Sequence, residues 1–264
     1  MQARSKYPTS KLFFSNCSHY CFEKAAKNHK IPYEIIASNL DDTIDLKHLK
    51  QKLIENSCDK VSPIILLNIG TTHKGTIDDL VSVHEILEEL NIKEYFIHLD
   101  GALLGEVFPE KSNYMNTPFD TISFSLHKWL GLHRIGSVLI CDSKRNPLKI
   151  KALNEIMDGK LLLEINLCSE NDFERTNEIR RNEIFELSNY FVEKLNTYLK
   201  DKNDVLTWRE SFYFYFKNVV KVPMWIFSYV DDQYSRVNLI PTNKDRVEAF
   251  LGDLENLMNM KKDL

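Results

Sequence analysis

The sequence predicts an α/β fold: a largely parallel sheet covered by helices, followed by a smaller α+β C-terminal lobe. Three observations carry that expectation. Short apolar, β-branched or aromatic runs alternate with segments of helical periodicity through the first half, the order that lays successive strands side by side in parallel. Near residue 150 the pattern changes to a long polar helix, then aromatic strands, then a last helix. Residues able to do chemistry fall just past the predicted strand ends, where ligands bind in sheets of this kind.

Taken in order, strands are expected at 12–15, 33–37, 64–68, 95–98, 121–124 and 137–141, each an apolar or aromatic run of strand length. Asp45 is placed to cap a helix carrying Leu46, Leu49 and Leu53. Thr76 is placed to cap another, which carries Ile77, Leu80, Val81, His84 and Leu87 at helical spacing. Asp78 and Asp79 would then occupy its first turn, where the helix dipole favours negative charge. Beyond 150, one helix ends in Ile184, Leu187, Phe191, Leu195 and Tyr198, and the last carries Val247, Phe250, Leu251 and Leu254. The most hydrophobic stretch, 212–230, is interrupted by Lys217, Asn218, Lys221 and Pro223, so it reads as two buried strands rather than a membrane span. The chain shows no internal repeat and no linker composition. Residues 1–150 are therefore expected to form a large domain and 151–264 a small lobe.

Composition narrows the function. A chain of 264 residues that is 43% hydrophobic and 27% charged can bury a sizeable core. Its net charge of -4 gives no electrostatic reason to expect nucleic acid or an anionic membrane as partner, which leaves a small-molecule site. The five cysteines (Cys17, Cys21, Cys58, Cys141 and Cys168) are odd in number, contain no Cys-x-x-Cys pair and follow no apolar signal segment. Reduced thiols in a cytoplasmic protein are expected. Cys17 and Cys21 lie one helical turn apart but lack two further ligands at suitable spacing, so no metal site is expected. The Arg180-Arg181 pair reads as a solvated helix face. Six of the eight glycines fall between residues 70 and 136, marking where the backbone turns tightly around something.

The strongest motifs lie in that window. His98-Leu99-Asp100-Gly101-Ala102-Leu103-Leu104-Gly105 follows one predicted strand, and Ser125-Leu126-His127-Lys128-Trp129-Leu130-Gly131 follows another. A carboxylate ending one strand and a lysine ending another point to a pyridoxal phosphate (PLP) pocket. There the lysine amine forms a Schiff base with the cofactor aldehyde. The carboxylate keeps a proton on the pyridine nitrogen, so that the ring stays an electron sink. Alone, Lys128 would read as a surface charge and Asp100 as a turn or helix cap; their ordered pairing reverses both readings. Asn68-Ile69-Gly70-Thr71-Thr72 lies past a third strand, so three segments are expected to converge on one edge.

These strings resemble the group II PLP-dependent amino acid decarboxylases, and within them the histidine decarboxylase and plant serine decarboxylase branch, from about Tyr7 to Cys141. Members of that family show Ser-x-x-x-His-Tyr-Ser-x-x-Lys-Ala-Ala, Asn-Ile-Gly-Thr-Thr-x-x-Gly-x-x-Asp-Asp, His-x-Asp-(Gly/Ala)-Ala and Ser-x-His-Lys segments. Here the counterparts are residues 15–26, 68–79, 98–102 and 125–128, in the same order. The resemblance implies the aminotransferase-like type I fold with bound PLP. It implies that His19 stacks on one face of the pyridine ring, Ala102 packs the other, and Asp100 pairs with the ring nitrogen. Thr72 would line the polar edge, Ser125 and His127 would contact the phosphate, and Lys128 would carry the cofactor. Lys128, His19 and Asp100 would be the catalytic set. The implied reaction is decarboxylation of an amino acid, histidine first, with serine or an aromatic amino acid as alternatives. A cytoplasmic homodimer is the implied state. On its own residues, His19 also reads as a cap or packing group at a helix start, and His73 as a solvated loop histidine.

Departures from the family pattern frame a second expectation. His19 stands 18 residues from Met1 and no glycine precedes Gly70, so the glycine-rich turn that cradles the cofactor phosphate ahead of the histidine motif is expected to be missing. The loop after the lysine, 131–136, is one residue shorter than the family's and has no proline. The family's Ser-Arg-Asn-Gly-His-x-Pro turn survives only as residues 176–183, and the stretch 235–254 resembles the terminal strand and helix weakly. Two functions follow: an N-terminally shortened decarboxylase whose site a partner chain completes, or a catalytically silent relative serving as a dimerisation or binding module. Retention of Lys128, Asp100 and His19 together favours the first.

Overall fold

The computed structural model describes residues 2–57, 61–72, 74–105, 117–128, 136–141, 205–208, 213–217, 228–229, 234–238 and 244–262, with helical positions between 179 and 193. His73, Cys58, Cys168, Arg180, Arg181, the post-lysine loop 129–135, residues 176–178, Ile184, Leu195 and Tyr198 lie outside the described residues. The chain divides into two units, Met1–Ser125 with Gly136–Asp158, and Leu126–Ile135 with Gly159–Leu264.

In the first unit the elements run α1 (Gln2–Lys6), β1 (Ser10–Ser15), α2 (Cys21–Asn28), β2 (Tyr33–Ile36), α3 (Leu46–Ser57), β3 (Ser62–Asn68), α4 (Leu80–Glu89), β4 (Phe96–Gly101), β5 (Thr121–Ser125) and β6 (Ser137–Cys141). All six expected strands are present. They form one sheet in the order β2-β1-β3-β4-β5-β6, parallel from β2 through β5, with β6 antiparallel on β5. β3 is buried at every residue, as a central parallel strand covered on both faces must be, and its Ile64-Ile65-Leu66-Leu67 run is the apolar signature of that position. The chain turns one way from β1 to β2 and then crosses back to β3, so the strand order reverses between β1 and β3. Such a switch point opens a crevice outside the carboxyl ends of the strands.

Local chemistry sets the helix starts. Asp45 caps α3 as expected, accepting from the backbone N–H groups of Lys47 at 2.9 Å and His48 at 3.1 Å. The start of α4 differs from expectation. Its cap is Asp79, which accepts from Val81 N–H at 3.0 Å and Ser82 N–H at 3.1 Å. Ile77, counted above as helical, instead forms an antiparallel bridge with Ile69, and the Thr76 carbonyl accepts from Gly70 and Thr71 N–H at 3.1 and 3.0 Å. Residues 76–78 are thus held extended by the end of β3, and Asp78 is buried ahead of the helix instead of lying in its first turn.

The second unit contains a four-stranded antiparallel sheet in the order β7 (Val205–Trp208), β8 (Tyr213–Lys217), β10 (Tyr234–Asn238), β9 (Ser228–Tyr229), and a C-terminal helix α5 (Lys244–Lys262). This is the expected α+β lobe. Leu187, Phe191, Phe250 and Leu251 are buried, with the two phenylalanine rings 6.2 Å apart. Two strands do arise from 212–230; their side chains, like those of Val247 and Leu254, lie outside the described residues. Among the described residues no helix is long and apolar enough to cross a membrane.

Candidate active site

The site edge is built from the segments that leave β1, β3, β4 and β5. β1 ends at Ser15, whose hydroxyl and carbonyl accept from Cys17 and Ser18 N–H at 2.9 Å each, turning the chain into α2. His19 sits half-buried in that turn. Its Nδ1 accepts from Cys21 N–H at 3.4 Å, and its ring lies 4.4 Å from that of Tyr20. The imidazole therefore helps seat the helix start, the alternative reading given above beside ring stacking. The Phe22 ring, 6.0 Å from that of His98, lays α2 over one face of β4. Alternate residues of a strand share a face, so that face also carries Asp100.

At the end of β3, Asn68 stands opposite Asp100 in register. The turn that follows requires a glycine at 70: its φ is +93° and a Cβ there would meet Leu104 Cγ at 2.7 Å. Thr71 is buried and Thr72 half-buried beyond it. Asp78 returns to this strand end. It accepts from Ile44 N–H at 2.7 Å, and from the backbone N–H and side-chain amide of Asn68 at 2.7 and 2.8 Å. Burial pushes its carboxyl up to about 6, against the hydrogen bonds from Asn68 and Ile44.

At the end of β4, Asp100 Oδ1 accepts from Ala102 N–H at 3.1 Å. Among the described residues Oδ2 has no hydrogen bond, so one carboxylate oxygen stays available. His98, two residues back, lies between the hydroxyls of Thr121 (2.8 Å from Nδ1) and Ser123 (3.4 Å from Nε2). Burial pushes its imidazole down to about 4, against the attraction of the Asp100 charge. At neutral pH His98 is therefore uncharged. Gly105 N–H bonds the Gly101 carbonyl at 2.9 Å. A Cβ on Gly101 would lie 2.9 Å from both Gly105 Cα and Ser123 O, so the chain leaving β4 is pressed against β5 closely enough to exclude side chains.

At the end of β5, Ser125 is buried and opposite Ser137. Lys128 and His127 follow in a turn that belongs to the second unit, both half-buried. The first unit thus places His19, Thr72, Asp100, Ala102 and Ser125 on segments leaving one sheet edge. Sequence reading assigned no site role to Ser18, Asn68, Asp78 or His98, although all four lie inside motifs quoted above, and that was the available signal. The donor set fits a protonated pyridine ring with a phosphate: a carboxylate oxygen without a hydrogen bond among the described residues, and a buried hydroxyl one strand away. Among the described residues no cluster of three or more His, Cys, Asp or Glu could hold a metal ion.

Comparison with known proteins bears on family and fold. A family model described as the pyridoxal-dependent decarboxylase conserved domain matches residues 2–152, more than half of the chain. Histidine decarboxylase of Solanum lycopersicum is 38% identical over 135 residues, covering 48% of this chain and 32% of its own length. Serine decarboxylase 2 of Oryza sativa subsp. japonica is 36% identical over 133 residues, covering 48% and 28%. The chain spans about a third of the length of most of the curated relatives it matches. Among solved structures, L-methionine decarboxylase from Streptomyces superposes with a TM-score of 0.71 over 93% of this chain and 69% of its own, at 16% identity. That likeness is one of fold, the type I fold of PLP-dependent enzymes.

Proposed function

The chain belongs to the pyridoxal-dependent decarboxylase family, and on that premise we propose that it decarboxylates an amino acid, histidine first, using PLP attached to Lys128. The observation that carries the reading is the available oxygen of Asp100 at the carboxyl edge of a parallel sheet, beside a His98 held neutral. When bound, the cofactor supplies a sink for the electron pair left by the departing carboxylate. The chain's residues do the rest. Asp100 would hold a proton on the ring nitrogen, and His19 would cover one ring face and exclude water from it. Ala102, with only a methyl group, would let the other face approach the backbone. Thr72 would line the polar edge, and Ser125 and His127 would donate to the phosphate. Lys128 would provide the attachment amine, which the amine of the substrate would displace and leave free. Serine and aromatic amino acids are the alternative substrates, and a cytoplasmic homodimer is the working state we infer.

The test is an absorbance scan of the purified protein with added PLP, then borohydride reduction and mass mapping, with Lys128→Ala as control. The expected result is a visible band and a pyridoxyl adduct on Lys128, both absent from the variant, followed by carbon dioxide release from histidine above that from serine or tyrosine. Absence of band and adduct would overturn the reading in favour of a silent, decarboxylase-like binding module.

A further inference from the structure

Asp78 has no part in the roles above, yet it is fully buried between segments that border the site edge. Its Oδ1 accepts from the backbone N–H of Ile44, in the loop before α3, at 2.7 Å. Its Oδ2 accepts from the backbone N–H of Asn68 at 2.7 Å and from the Asn68 side-chain amide at 2.8 Å. The same amide nitrogen reaches across to Ser18 Oγ at 3.1 Å. A carboxylate can only accept, so it fixes the orientation of the Asn68 amide, nitrogen toward Asp78 and Ser18. A chain of bonds therefore runs from Asp78 through the Asn68 amide to Ser18, the residue before His19. A buried carboxylate is costly to desolvate, and a position with packing duty alone is served at lower cost by an apolar side chain.

We propose that Asp78 is a positioning residue: through the Asn68 amide it fixes Ser18, and with it the backbone of His19, so that the imidazole is held in place at the start of α2 before any ligand arrives. The purpose of that placement rests on the PLP reading above; the placement itself does not. An amide at position 78 could satisfy only part of the cluster. Its oxygen can replace one carboxylate oxygen, but its NH2 then faces an N–H of Ile44 or Asn68, donor against donor.

The experiment follows the His19 imidazole resonances by NMR in cofactor-free protein, assigned with His19→Gln. It compares wild type, Ser18→Ala, Ser18→Thr, Asp78→Asn and the double variant Ser18→Ala/Asp78→Asn. Ser18→Ala and Asp78→Asn should move the His19 signal in the same direction. Ser18→Thr, which keeps the hydroxyl, should restore it, and the double variant should move it no further than the larger single change. PLP affinity should fall roughly tenfold in Ser18→Ala, what one lost hydrogen bond of about 1.4 kcal/mol amounts to. If Asp78→Asn does not fold, Ser18→Ala against Ser18→Thr decides, because neither touches the buried carboxylate. A His19 signal unmoved by Ser18→Ala overturns the proposal even where PLP binds normally. A signal moved by Ser18→Ala, beside a wild type that never binds PLP, upholds the positioning and overturns the cofactor reading.

Discussion

Lowering the pH from 7 to 4.5 titrates half-buried His98 and buried Asp78 of the first unit in opposite senses, so removing one should unmask the other. His98 is pushed down to about 4 from an ordinary 6.5, so the unfolded chain accepts a proton that the fold refuses. Its contribution to stability is present above 6.5 and is lost as pH falls through about 4. At about 1.36 kcal/mol per pH unit, that loss totals on the order of 3 kcal/mol. Asp78 is pushed up to about 6 from 3.8. Its contribution is fully present below 3.8 and is lost as pH rises through about 6, again on the order of 3 kcal/mol. In wild type the two slopes nearly cancel. His98→Gln removes the first and adds a constant cost for the bonds to Thr121 and Ser123. The variant should therefore gain on wild type by about 2–3 kcal/mol between pH 7 and 4.5. All three tryptophans lie outside the six-stranded unit, so urea unfolding is best read by pulsed hydrogen exchange on β3 and β4 peptides. A difference that stays flat across this range, or an NMR titration of His98 near its ordinary value, refutes the burial argument.

Three other substitutions test separate parts of the structure. Asp100→Asn should fold, because the amide oxygen can still accept from Ala102 N–H, but carbon dioxide release should fall by at least roughly 100-fold, about 2.7 kcal/mol in the barrier. Release within tenfold of wild type would remove Asp100 from the mechanism. Gly101→Ala sets a Cβ 2.9 Å from backbone atoms of both Gly105 and Ser123, neither of which can rotate away. It should cost about 1–3 kcal/mol in urea unfolding. Asp79→Ala removes the cap of α4 and should cost about 1 kcal/mol, with faster exchange at the Val81 and Ser82 amides. Thr76→Ala should leave those two amides unchanged, and the reverse pattern would restore Thr76 as the cap.

The alternation of apolar runs with helical spacing was enough to place six strands and the face-covering helices, because it records which residues avoid water and at what period. The four motif strings marked the segments leaving β1, β3, β4 and β5 for the same reason that they resemble a family: their order along the chain is the order of those strands. Strand ends were less legible. β4 runs Phe96–Gly101 against an expected 95–98, since Asp100 and Gly101 are polar or small and pair with β3 and β5 all the same.

What the sequence could not show was partnership across the sheet. Ile77 has the spacing of a helical residue, and it is extended because Ile69 lies opposite it. Asp78 looked like a first-turn acid on a helix; it is enclosed beside Asn68 and Ile44, and that burial raises its proton affinity against the hydrogen bonds they donate. His98 is neutral because the fold packed around it, with Thr121 and Ser123 of the neighbouring strand against its ring nitrogens, makes its charged form costly to hydrate. Each of these depends on contacts between residues distant along the chain. A local pattern encodes exposure and period, and it carries no record of which distant group will stand opposite.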